Sequence, residues 1–158
     1  MANENSLRLA VVDPWELYRV GMGGLLMDWP HGKVIFEAED SLAYRDMSTG
    51  EAPIDIALVA LRPSVGEGLT HIQWLRDNGP GTKVIAYVNE VDEKLVGPAM
   101  DLGACTVLPI SVSRPELHNA LDQVRLTGHY LSRIMVRDYI SAPTPGGALG
   151  LRKRSTKP

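Results

Sequence analysis

The sequence predicts an α/β protein: a three-layer α/β/α domain with a five-stranded parallel sheet. Two observations carry that expectation. Five apolar runs of strand length alternate with five amphipathic stretches of helical period along the chain. The runs are near-continuously apolar and rich in Val, Ile and Leu, as in strands that helices cover on both faces. Five βα units in succession imply right-handed crossovers and a doubly wound sheet.

The elements follow in order. Residues 7–12 (LRLAVV) read as the first strand, and 14–29 (PWELYRVGMGGLLMDW) as the first helix. Strands over 33–38, 55–61, 83–88 and 105–110 then alternate with helices over 41–49, 67–79, 91–103 and 114–128. Ser113 ahead of Arg114-Pro115-Glu116 is a strong helix start, with a capping hydroxyl, an early proline and an acid in the first turn. Asn78-Gly79 and Gly103 close two helices. Pro98 falls inside the fourth helix pattern, where it cannot donate to the Lys94 carbonyl, so that helix is expected to kink or to begin near Pro98. A sixth, short helix is expected within 131–140, and 141–150 (SAPTPGGALG) reads as a linker. The expected division is one domain over 1–140 and a flexible basic tail over 141–158.

Composition narrows the function classes. The chain has 158 residues, 16 Lys and Arg against 19 Asp and Glu, and net charge −3. Residues 1–140 hold 12 basic against 19 acidic residues, or −7, whereas 141–158 hold four basic residues and no acid. An acidic body repels a phosphate backbone, so the body is not expected to bind nucleic acid. No apolar run approaches the ~18 residues of a membrane span, and the first residues lack the pattern of a signal peptide. One cysteine, Cys105, permits no internal disulfide and suits a reducing cytoplasm.

Ligands of such sheets sit beyond the carboxyl ends of the strands, which directs attention to Asp13-Pro14-Trp15, Ala60, Val88-Asn89 and Pro109-Ile110-Ser111. "LRLAVVDPWELYRVGMGGLL", "DIALVALRPSVGEGL", "GPGTKVIAYVNEVDEKLV", "LGACTVLPISVSRPELHNAL" and "GHYLS" follow one another in register. Together they resemble the receiver domain of NarL/LuxR-type response regulators over roughly 7–140. The resemblance implies a flavodoxin-type strand order. It also implies a chemistry: an Asp ending the third strand accepts a phosphoryl group, an Asp pair after the first strand holds Mg²⁺ with it, and a Thr or Ser and a Lys after the fourth and fifth strands bind the phosphoryl oxygens.

Carried across, the acceptor position is Ala60, the acidic pair is Asp13 and Pro14, the hydroxyl position is Val88 and the lysine position is Ile110. A methyl group is no nucleophile, and one carboxylate is too few hard oxygens for Mg²⁺. The pocket is therefore read as degenerate, around Asp13 with a floor of Ala60, Val88 and Ile110; Trp15 is read first as filling the space above that floor and second as the cap of a pocket. No metal or other cofactor is expected. Asp55 lies at the wrong end of its strand and Glu67 too far on to replace the acceptor.

Other motifs point to no chemistry. "GMGG" (21–24) sits inside a helix pattern rather than at a strand-to-helix turn, so it does not cradle phosphate. His31, His71, His118 and His129 are scattered and are read as surface or half-buried residues. No arrangement of an enzyme is present. The expected function is that of a phosphorylation-independent pseudo-receiver of a transcription regulator, acting through homodimerisation or another protein partner. DNA contact would belong to a C-terminal helix-turn-helix module outside this chain. The rival readings are a metabolite sensor binding above Asp13 and, against the missing acceptor, a phosphoryl switch. The expected dimer or partner surface is Tyr18 and Met22 on the first helix with His118, Asp122 and Arg125 on the fifth; Trp74 is a further partner anchor or a lid on the core edge.

Overall fold

The computed structural model describes residues 6–62, 67–89 and 93–135. Five parallel strands, β1 (Leu7–Val12), β2 (Gly32–Ala38), β3 (Ile56–Leu61), β4 (Lys83–Val88) and β5 (Thr106–Pro109), form one sheet in the order β2-β1-β3-β4-β5. The helices are α1 (Glu16–Leu26), α2 (Ser41–Ser48), α3 (Glu67–Asn78), α4 (Glu93–Asp101), α5 (Arg114–Thr127) and a short α6 (Arg133–Met135).

Alternation along the strands divides the interior in two. Ala57, Val59 and Leu61 of β3 join a core with Tyr44 of α2, Ile72 and Leu75 of α3, and Val96 and Ala99 of α4. Ile56, Leu58 and Ala60 join the opposite core with Met22 and Leu26 of α1 and Leu117, Leu121 and Val124 of α5. This is the period-2 rule of a strand applied to a sheet buried on both faces.

Local signals explain most element ends. The Ser113 hydroxyl accepts from the Glu116 amide, and Gly128 closes α5 in the left-handed region at φ 85°. Gly103 ends the α4 turn at φ 109°. Pro98 corrects one expectation: α4 does not begin there but runs from Glu93 through it. The first helix is shorter than its sequence pattern, starting at Glu16 and ending at Leu26, because Trp29 leaves the helix to bury itself against α5. Its indole Nε1 donates to Asp122 at 3.0 Å. Beyond α5, the Tyr130 amide donates to the Cys105 carbonyl at 3.2 Å and the Ser132 hydroxyl to the Val107 carbonyl at 2.6 Å, so this segment covers the outer edge of β5. Among the described residues the expected sixth helix covers Arg133–Met135; residues 136–140 and the tail 141–158 lie outside the described residues.

Candidate functional site

Asp13 follows β1 directly and is wholly buried. Its carboxylate accepts three hydrogen bonds. Oδ1 accepts from the Trp15 amide at 2.9 Å, while Oδ2 accepts from the Tyr87 hydroxyl at 2.8 Å and from Arg62 Nη2 at 2.5 Å. Its backbone carbonyl takes a further bond from Arg19 Nη1 at 2.8 Å.

Arg62 is the surprise of the site. It comes immediately after β3, two residues past Ala60, and is only 1% exposed. One arm of its guanidinium reaches Asp13, and the other donates to the Asn89 side-chain oxygen just past β4. Aromatic rings surround it: its charged carbon lies 4.4 Å from the Trp15 ring centroid, 4.8 Å from Tyr18 and 5.8 Å from Tyr87. Those faces are favourable neighbours for a desolvated cation. Burial, and then the adjacent Asp13 carboxylate, push the Tyr87 phenol far above its ordinary value, so it stays protonated and donates.

The residues carried over from the resemblance do not assemble as expected. Ala60 is buried against the α1/α5 core, while Val88 belongs to the opposite core under α2, α3 and α4. The cleft beside Ala60 is lined by Val12, Pro14, Glu39, Asp40, Arg62, Gly68 and His71, and neither Val88 nor Ile110 borders it. It leaves about 10 Å³, room for roughly one water molecule. Trp15, 42% exposed, covers the Arg62 guanidinium rather than an open pocket. The Arg62 side chain, from the end of β3, occupies the space beside Ala60.

The donors do not suit Mg²⁺. A divalent cation needs several hard oxygens. Here the Asp13 carboxylate already accepts three hydrogen bonds, one of them from a cation, and no cluster of three or more His, Cys, Asp or Glu exists among the described residues.

No family model matches the chain, and no curated protein sequence matches it significantly. Solved structures do. The receiver domain of RcsB from Salmonella enterica serovar Typhimurium, determined with the phosphomimetic BeF₃⁻, superposes with a TM-score of 0.73 at 17% identity, over 84% of this chain and 98% of that one. The signal receiver domain of NarL from Mycobacterium tuberculosis gives 0.67 at 26% identity, over 77% and 98%. A LuxR-family response regulator from Aurantimonas sp. SI85-9A1 gives 0.68 at 21%, over 78% and 87%. The fold is that of a response-regulator receiver domain. Against longer RcsB chains the match spans 66% of one and 71% of another, the latter in two RcsB dimers bound to two parallel DNAs.

A second polar cluster borders the same cleft from α3. His71 is wholly buried, which corrects the expectation of a surface or half-buried residue. Its Nδ1 is 2.7 Å from the Ser41 hydroxyl, its ring stacks on Trp74 and meets Tyr44 edge-on. Burial, reinforced by the Arg45 charge, lowers its pKa from 6.5 to about 4. Burial raises Tyr44 to about 12 against a hydrogen bond to Thr82. Trp74 is half-buried, with the Arg45 guanidinium 4.7 Å from its ring. It laps the core edge and keeps one side toward a groove of about 380 Å³.

The expected association surface needs correction. Met22 is only 6% exposed and packs in the α1/α5 core, so it cannot present itself to a partner. Tyr18 turns toward Arg62. His118 Nε2 lies 2.9 Å from the Leu25 carbonyl, Asp122 accepts from Trp29, and the Arg125 carbonyl accepts from Lys83 at 3.4 Å; these groups tie α5 to its neighbours. The open face of α1 carries other residues: Leu17 at 82%, Val20 at 56% and, just past the helix, Met27 at 78% exposure. The α1 sequence carries apolar residues on more than one stripe, so periodicity alone does not single out the exposed face.

Proposed function

We propose that this chain is a phosphorylation-independent receiver domain of a response-regulator-like transcription regulator, working by protein–protein contact rather than by catalysis. The observation that supports this most is the Arg62–Asp13 pair beside Ala60: the acceptor carboxylate is a methyl group, and the remaining acid is consumed by an internal cation. A phosphoryl group has no nucleophile to join and no metal to neutralise it. The same geometry weakens the metabolite-sensor reading, because both Asp13 oxygens are taken and the cleft holds little more than a water.

Association of two copies through α1 is the contact favoured. Leu17, Val20 and Met27 form an unpartnered apolar stripe, and Gly21 and Gly24 leave open surface for close approach. Dimers are described for RcsB. DNA contact would come from a module outside this chain. No described helix is long and apolar enough to cross a membrane, and a cytoplasmic setting fits this role.

The test is incubation with acetyl phosphate and Mg²⁺ followed by intact-mass spectrometry. No mass increment of a phosphoryl group is expected. An increment mapped to an aspartate would overturn the reading.

A further inference from the structure

We infer that Arg62 is a resident cation of the site, doing from within the chain what a dissolved cation would otherwise have to do for Asp13, and that it thereby pins the end of β4 to the end of β1. The inference rests on the phosphorylation-independent reading and deepens it: the site is held permanently in one arrangement.

A wholly buried carboxylate must be neutralised or hydrogen-bonded. Asp13 receives one hydrogen bond from a phenol and one from a backbone amide, and the only positive charge on its side chain among the described residues is Arg62. The guanidinium is a planar fork whose arms can hold two partners in fixed directions. One arm holds Asp13 after β1 and the other Asn89 after β4. The strands they follow are not neighbours, because β3 lies between them. Arg62 follows that central strand, so one side chain links three adjacent strand ends. Trp15 closes the outside face, which keeps water from competing. A lysine could neutralise Asp13, but its donors share one nitrogen and lack the two separate arms that hold Asp13 and Asn89 in fixed directions.

Three variants test this beside the wild type: Arg62→Met, Arg62→Lys and Asp13→Asn/Arg62→Met. Melting temperature is read with and without millimolar methylguanidinium chloride, and hydrogen exchange is read at the Asn89 amide. The wild type should ignore the salt. Arg62→Met should melt roughly 10 °C lower, regain part of the loss with methylguanidinium, and exchange faster at Asn89. The double variant, with both charges removed, should melt above Arg62→Met and show no cation response. Arg62→Lys should recover melting temperature but not slow exchange at Asn89, a split that simple space-filling by Arg62 does not produce. Arg62→Met melting like the wild type, or single and double variants responding to cations alike, would overturn the inference. Should Arg62→Met not fold, nuclear magnetic resonance of the wild-type Arg62 side chain decides. Slowly exchanging, rotationally restrained guanidinium protons support the inference, and fast-exchanging ones contradict it. Phosphorylation of the wild type by acetyl phosphate would instead defeat the functional reading beneath it, so the two failures are distinguishable.

Discussion

Arg62 and His71 border the same cleft from different elements, and each is a buried nitrogen base, yet the two solve burial in opposite ways. An arginine cannot shed its proton in a protein, so Arg62 is tolerated only because Asp13 meets it at 2.5 Å and aromatic faces surround it. His71 has no carboxylate partner among the described residues; it faces Ser41, Tyr44, Trp74 and the Arg45 charge, and remains neutral near pH 7. The lesson is that one half of the cleft depends on a partner residue and the other half on pH. An ion pair fails when either member is removed, whereas a neutral histidine fails when protons are supplied.

The largest effect that can break this contrast is loss of one ion-pair member. Arg62→Met leaves Asp13 buried and unpaired, and should cost roughly 3–5 kcal/mol in urea unfolding at neutral pH. Arg62→Met within 1 kcal/mol of the wild type would mean that the pair contributes no such constraint.

Acidification probes the other half. The folded state holds His71 at about 4 against 6.5 in its absence, so the unfolded chain binds the proton first. Stability from this residue is then complete above pH 6.5 and is lost as pH falls toward 4, amounting to roughly 3 kcal/mol over that window. His71→Gln should flatten the profile across those values. An unchanged slope would assign the acid sensitivity elsewhere.

Gly68 joins the two halves. A Cβ there would lie 2.4 Å from the Ala60 carbonyl oxygen, so α3, which carries His71, approaches β3 at this point as only glycine allows. Gly68→Ala should cost about 1–3 kcal/mol and shift amide resonances of both Arg62 and His71. Shifts confined to one of them would show the clusters to be independent.

The smallest stability effect should come from the surface. Leu17→Glu should change stability by less than about 0.5 kcal/mol while shifting sedimentation toward monomer at tens of micromolar. Met22→Glu should instead destabilise the fold, because Met22 is core. A wild type that is already monomeric would remove the proposed α1 contact.

Much of the fold was legible in the sequence because near-continuous Val/Ile/Leu runs leave few alternatives to a buried parallel sheet. Ser113 and Pro115 marked the start of α5 by local chemistry alone. The phase of α1 was not legible, since Leu17, Tyr18, Val20, Met22, Leu25 and Leu26 occur on every side and periodicity does not choose among them. At the site, Asp13 and Ala60 were found by position, but Arg62 was missed. A basic residue ending an apolar strand reads as a solvated loop residue, and its burial follows only from tertiary pairing. The available signal was a solitary Asp after β1 and an Arg two residues past Ala60, with a Tyr among the aliphatic residues of 84–88.

The most direct test of the central claim is a titration of the wild-type protein with MgCl₂ and beryllofluoride, followed through the amide resonances of Asp13, Ala60, Arg62 and Asn89. With a methyl group at Ala60 and the Asp13 carboxylate already held by Arg62 and Tyr87, those resonances should stay where they are through millimolar additions. Saturable shifts at Asp13 and Ala60 would contradict the account.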